Sequence, residues 1–196
     1  RFADKWKWDN LSSNESLPWS ESLIERYADK WSWAKFARNA PVPWSEALIE
    51  RFADSCCNWY PLNRNESFPW SEALIERFAD RWYGFEWDAL CVNKSLPWSE
   101  SLIERYADKW EWWVLSYNQS LPWSEALIER YMDKWKSDGW DGLSSNESLP
   151  WSESLIERYA DKWSWRYFSS NKSLPWSEAL IERFADKWDW WSLSSN

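Results

Sequence analysis

Pro18-Trp19-Ser20-Glu21-Ser22-Leu23-Ile24-Glu25-Arg26-Tyr27-Ala28-Asp29-Lys30-Trp31 spaces Trp19, Leu23, Tyr27 and Trp31 four residues apart, with Ile24 and Ala28 beside them. At about 100° per residue those six side chains share one half of a helical wheel, so the stretch predicts an amphipathic helix. Pro18 is tolerable in a first turn, where its missing amide hydrogen has no partner to lose. Glu21 lies near the positive end of the helix dipole. Upstream, Asn14 reads as a left-handed helix stop and Ser16 as the N-cap. A short helical turn is expected before them, from Trp8 to Leu11, with the same i, i+3 spacing in Trp33/Phe36, Trp87/Leu90, Trp112/Leu115 and Trp190/Leu193.

Working outward, Pro-Trp-Ser recurs at Pro18, Pro43, Pro69, Pro97, Pro122, Pro150 and Pro175, in steps of 25, 26, 28, 25, 28 and 25 residues. Such a period marks a tandem-repeat architecture. One Trp column closes each long helix (Trp6, Trp31, Trp82, Trp110, Trp135, Trp163, Trp188, with Cys56 in its place once), and a second opens the next short one (Trp8, Trp33, Trp59, Trp87, Trp112, Trp140, Trp165, Trp190). From the second column onward the spacing is fixed, giving a rigid block of 24 residues; between the two columns one, two or four residues intervene. That variable segment reads as a turn, and Gly84 and Gly139 fall in its longest versions, where positive φ is expected.

These features predict an all-α chain: an α-solenoid of about seven short-helix/long-helix repeats over residues 1–196, a single array and a segment of a longer one. The alternative is a leucine-rich-repeat-like α/β solenoid, because Leu11-Ser12-Ser13-Asn14 followed by Leu17 echoes that motif and the period fits. Against it, no alternating strand precedes the Asn. The pattern Trp188-Asp189-Trp190-Trp191-Ser192-Leu193-Ser194-Ser195-Asn196 resembles the tandem Trp-rich repeats of uncharacterised bacterial and giant-virus proteins. It departs from them at Cys56, Phe36, Phe168 and Asn39-Ala40-Pro41. The resemblance implies a repeat scaffold and carries no chemistry to any residue.

Composition narrows function. Of 196 residues 24 are Trp, three Gly, three Cys and none His. Without imidazole, Ser-His-Asp and Cys-His catalysis and His-ligated metals are excluded; no phosphate-cradling Gly-rich loop occurs. A net charge of −9 disfavours nucleic acid, and no apolar run approaches the ~20 residues that span a bilayer. Residues 1–20 are not signal-like, and Cys56, Cys57 and Cys91 form neither a disulfide framework nor a metal site, which favours cytoplasmic, reducing surroundings. Asn-x-Ser triplets at Asn10, Asn14, Asn65, Asn93, Asn118, Asn146 and Asn171 match a glycan acceptor, but capping explains their phase. Carboxylates such as Glu25, Glu50 and Glu157 recur in every helix, whereas an active site should break the repeat. No enzyme activity and no cofactor are expected. Stacked helices could instead face the acidic row Glu21/Glu25/Asp29 of one repeat with the basic row, like Arg26/Lys30, of the next.

Candidate binding residues come from what varies. All but Trp113 and Trp191 of the Trp residues sit in recurring columns and read as core anchors. The two residues after the second Trp range from Asp9-Asn10 to Trp113-Val114 and Arg166-Tyr167, which suggests a solvent-facing edge. Tyr60, Trp113, Tyr117, Tyr167 and Trp191, with the insert Tyr83–Glu86, are the candidate partner-binding residues. The expected function is a non-enzymatic scaffold for protein–protein interaction. The alternatives are a structural array that self-associates through uncapped ends and, third, a glycan-binding module that would need exposed Trp rings.

Overall fold

The computed structural model describes residues 3–39, 41–52 and 59–196; Cys56, Cys57 and Ala40 lie outside them. The chain divides into two compact units, 1–97 and 98–196. In the first, short helices Trp8–Leu11, Trp33–Phe36, Tyr60–Asn63 and Phe85–Cys91 alternate with longer helices Glu21–Arg26, Glu46–Phe52 and Glu72–Phe78. In the second, longer helices Glu100–Arg105, Glu125–Arg130, Glu153–Arg158 and Glu178–Arg183 alternate with short helices Trp112–Leu115, Ser137–Ser145, Trp165–Phe168 and Trp190–Leu193. Within each unit neighbouring short helices pack on one another, as Tyr60–Asn63 does on Phe85–Cys91 and Ser137–Ser145 on both Trp112–Leu115 and Trp165–Phe168. The repeats form an all-α, solenoid-like stack, and no residue among those described is in a strand, so the leucine-rich-repeat alternative is overturned.

The long helix starts three residues later than expected. Ser20, not Ser16, is the N-cap: its backbone is extended and its hydroxyl accepts the Leu23 amide at 3.3 Å. Ser45, Ser71, Ser99, Ser124, Ser152 and Ser177 repeat this bond at 3.1–3.2 Å. Pro18 and Trp19 stay outside the helix, which lets the Trp19 indole N–H reach back to the Asn14 carbonyl at 2.9 Å. The helix also ends early, at Arg26, and the Ile24 carbonyl is taken by the Trp31 indole at 3.0 Å.

All three Trp columns use the indole nitrogen in this way. The Trp after Pro donates to the carbonyl five residues back in Trp44, Trp70, Trp123, Trp151 and Trp176 as in Trp19. The helix-closing Trp donates seven back to Ile in Trp110, Trp135, Trp163 and Trp188. Trp112, Trp165 and Trp190 donate to Ala107, Ala160 and Ala185. Trp82 departs from its column, with a buried and unpartnered Nε1. There the helix runs on into a 3-10 turn, Ala79–Arg81, and the Ala79 amide occupies the Ile75 carbonyl that the indole would take. The rings meet edge to face across repeats, as in Trp8–Trp31 (4.9 Å), Trp140–Trp163 (4.9 Å) and Trp165–Trp188 (4.7 Å).

Asparagine ties the repeats together. Among the described residues no non-glycine φ is positive, so the expected left-handed Asn stop does not occur. Instead, from Asn39 onward, the Asn side chain reaches to the preceding repeat. Asn146 Nδ2 donates to Ser116 O at 2.9 Å and to Asn118 O at 3.3 Å in the preceding repeat, while its Oδ1 accepts the Ser148 amide at 2.9 Å. Asn171 and Asn93 make the same set. Asn39 bonds to Ser12 O and Asn14 O, but its Oδ1 is orphaned because the residue two on is Pro41, which has no amide hydrogen. A nitrogen so buried and bonded does not present a glycan acceptor, which removes that reading for Asn65, Asn93, Asn146 and Asn171.

The facing charge rows are present. Arg51 pairs with Glu25, Arg77 with Glu50, Arg183 with Glu157, Arg158 with Glu125 (3.4 Å) and Lys187 with Asp161 (3.1 Å), each across one repeat boundary. All are substantially exposed, so each contributes about 0–1 kcal/mol and tunes register rather than holding the stack.

Replacing Asn146 by Ala takes a partner from the Ser116 carbonyl and from the Ser148 amide. The Ser148 amide lies on an exposed residue and can turn to water, so the buried Ser116 carbonyl is the group left unpaired; at about 1–3 kcal/mol for such a group, urea denaturation should show a loss in that range. Asn14→Ala, at an exposed position where only the Ser16 amide loses its side-chain acceptor, should cost under about 1 kcal/mol.

Candidate functional site

The repeating side chains are occupied by packing, so a functional surface has to come from positions released from it. The short-helix layer supplies them. Of the two residues after each second-column Trp, the first is exposed or half-buried throughout. The second is mostly not: Pro61, Ala89, Val114, Gly142 and Ser192 are buried against neighbouring repeats. The expectation that both positions face solvent is therefore corrected. The second position is a packing position whose size follows the local gap between short helices.

Gly142 shows this most clearly. A Cβ there would lie 1.8 Å from Ser116 Oγ, 2.8 Å from Ser116 Cβ and 3.0 Å from Tyr117 Cδ2. In repeats joined by a one-residue turn, the turn residue's amide donates to the Ser hydroxyl of the preceding repeat, as Ser32 does to Ser12 and Ser164 to Ser144, both at 2.9 Å. Before the longer insert that leads into Ser137–Ser145, Ser116 instead turns its hydroxyl to Trp113 O at 2.6 Å, and Gly142 makes room for it. Gly139, expected in a turn with positive φ, lies within that helix; only Gly84, at φ 45°, is left-handed.

The second unit thus presents Trp113 and Tyr117 four residues apart, with Tyr167 following beyond Gly142. Trp113 is 49 % exposed, Tyr117 45 %, Tyr167 40 % and Trp191 85 %. Burial against the neighbouring short helix raises the Tyr117 phenol above its usual pKa, and the nearby Tyr167, Asp141 and Asp138 add to this. Tyr117 and Tyr167 are therefore brought together with two carboxylates beside them. Arg166 and Asp189 form a second charged neighbourhood: the Ser192 amide and hydroxyl hold the Asp189 carboxyl below its usual range, and Arg166 assists.

In the first unit, Tyr60 is half-buried and borders two open depressions. One, of about 740 Å³, is lined by Tyr60, Tyr83, Phe85 and Glu86. The insert that forms it is held by Glu86, whose carboxylate accepts the Trp59 amide at 3.2 Å and the Tyr83 amide at 2.8 Å. Tyr83 and Phe85 stand in solvent.

One contrast separates the two classes of aromatic residue. The recurring Trp from Trp6 to Trp188 pack ring to ring with another aromatic, Trp190 of the last repeat departing from them at 52 % exposed, whereas Trp113, Tyr117, Tyr167 and Trp191 at non-recurring positions have no aromatic partner among the described residues. Two residues escaped the sequence reading. Arg38 and Arg64 occupy the third place of Leu-Ser-x-Asn in consecutive repeats, where Ser13, Ser145, Ser170 and Ser195 stand elsewhere. Comparing that column, as was done for the column after Trp, isolates them. Among the described residues no group of three or more His, Cys, Asp or Glu could hold a metal ion, and no helix is long and apolar enough to cross a membrane.

Gly142→Ala is expected to destabilise the chain by about 1–3 kcal/mol, the cost of overpacking, even though Ala is the better helix former by about 1 kcal/mol. A thermal melt showing stabilisation would contradict the close approach to Ser116. No known protein family, curated protein or solved structure matches the chain.

Proposed function

We propose that the chain is a non-enzymatic repeat scaffold that binds a protein partner along the short-helix layer of its second unit, with Trp113, Tyr117 and Tyr167 as the central contact and Trp191 as a further anchor; Tyr60, Tyr83 and Phe85 form a separate candidate contact in the first unit. The observation that carries this reading is the contrast between ring-packed recurring Trp and unpacked, exposed aromatics at non-recurring positions. Exposed Tyr and Trp held on rigid backbone lose little entropy on binding and are the residue types that dominate interface energetics. The carboxylates support the non-enzymatic half of the proposal. Glu25, Glu50 and Glu157 are engaged by arginines of the next repeat and recur with the period, so none is set apart as a general acid or base.

The repeat lattice also explains how such a surface acts. Short helices pack in succession, so anchors on neighbouring repeats are presented at a fixed spacing without any loop having to fold onto the ligand. A partner pays its own ordering cost and the scaffold pays little.

Affinity capture from the source cells, followed by quantitative binding of the captured protein, tests this. Trp113→Ala and Tyr167→Ala should each weaken binding by about tenfold or more, the effect of losing an interface anchor, while the thermal midpoint shifts little because both side chains are exposed. Unchanged affinity in both variants rejects the assignment.

A further inference from the structure

We infer that Arg38, Arg64 and Tyr60 form a binding site in the first unit for a doubly charged tetrahedral oxyanion, by class a phosphomonoester. The site is separate from the aromatic contact proposed above and does not depend on it.

Its basis is the column in which the arginines stand. In a repeat stack, equivalent positions of consecutive repeats are neighbours in space. Arg38 and Arg64 are equivalent, and both line one open depression together with Tyr60, Pro61 and Asn65. The bond Asn65 Nδ2 to Ala37 O, 2.8 Å long and buried, links the residue after one arginine to the residue before the other. Their backbones are therefore held at fixed separation by the same asparagine bridge that sets the repeat register. Pro61, in the first turn of Tyr60–Asn63, stiffens the other wall.

The charges in the depression are uncompensated. On the long helices Arg51, Arg77, Arg130, Arg158 and Arg183 each meet a glutamate of the preceding repeat. Arg38 and Arg64 pair with no carboxylate among the described residues. Glu86 is committed to two backbone amides and Asp9 to Lys35. In a chain of net charge −9, two guanidinium groups lining one depression make a local cationic site.

Geometry selects the ligand class. Arg64 lies 5.9 Å from the Tyr60 ring centre, and its Nη1 donates to the Tyr60 hydroxyl at 3.4 Å, so the guanidinium is oriented before any ligand arrives. Guanidinium forks pair bidentately with phosphate oxygens. Two of them match a phosphomonoester, which carries about −1.5 to −2 near neutral pH, whereas a single carboxylate leaves one cation uncompensated. The half-buried Tyr60 ring, on the wall of the same depression, offers contact area to an organic group attached to the phosphate.

Isothermal titration calorimetry of the full chain at low salt tests the site, with phenyl phosphate as probe and benzoate as the singly charged, planar comparison. Saturable binding of one phenyl phosphate is expected. Arg38→Gln and Arg64→Gln should each weaken it by roughly tenfold, as loss of a charge-assisted pair does, and the double variant should abolish it. The double substitution Lys94→Gln with Lys172→Gln removes the same charge from exposed positions elsewhere and should leave binding unchanged. Circular dichroism melts establish that each variant is folded. The site is overturned by absence of saturable binding to the wild-type chain, by wild-type affinity in the double arginine variant, or by equal loss in the lysine control. Benzoate bound as tightly as phenyl phosphate overturns the oxyanion class.

Discussion

The structure depends on one side chain bridging two repeats. A buried Asn offers two amide hydrogens to carbonyls of the preceding repeat and an oxygen to an amide of its own, so a single residue satisfies backbone groups that water cannot reach. Aspartate has no hydrogen to donate and would bring a charge into the core; serine is too short to span the gap. The bridge also explains how the array tolerates uneven repeats. Asn39 reaches Ser12 across 27 residues and Asn146 reaches Ser116 across 30, yet the bond is the same. The extra residues lie between the two Trp columns, before Asn146 as an extension of the short helix Ser137–Ser145, and the register passes unchanged to the next block.

Tryptophan completes what asparagine begins. These helices are short, and most of their carbonyls have no partner within the helix. Phe or Leu in the three Trp columns could fill the volume but would leave those carbonyls bare. The indole fills volume and donates at once, and its three columns reach back five or seven residues to different carbonyls. Trp82 supports this reading by exception: where the helix lengthens and uses the Ile75 carbonyl itself, the indole hydrogen loses its acceptor. Ion pairs between repeats add orientation to a stack already fixed by burial and by these bonds.

Periodicity made the repeat block and the short helices legible, down to the bounds Trp8–Leu11, Trp33–Phe36, Trp112–Leu115 and Trp190–Leu193. The charge rows followed from the same wheel. What escaped the sequence was long-range bonding. The strict phase of Asn was visible, but a partner 25 to 30 residues away is not, so Asn14 read as a local helix stop. Choosing between Ser16 and Ser20 as cap failed for a related reason: the choice is made by the Trp19 indole, which can reach Asn14 O only if Pro18 and Trp19 remain outside the helix. Gly139 was misplaced because a longer insert here extends a helix rather than a turn. The exposed aromatics were found because they broke a column; Arg38 and Arg64 broke a different column, whose Ser members had passed as ordinary helix-end residues.

That last column shows where a repeat of this kind has freedom to vary. The residue before the bridging Asn makes no recurring bond across the repeat boundary. Where it is Ser, as at Ser13, Ser145 and Ser195, the hydroxyl returns to a carbonyl of its own repeat. Its identity is therefore released from the packing that fixes its neighbours, while its position is set by the best-held atom group in the block. Arg38 and Arg64 use that combination in one unit and Tyr117 in the other. A side chain that is free in type and fixed in place is what a binding surface requires. The asparagine bridge provides it from one repeat to the next.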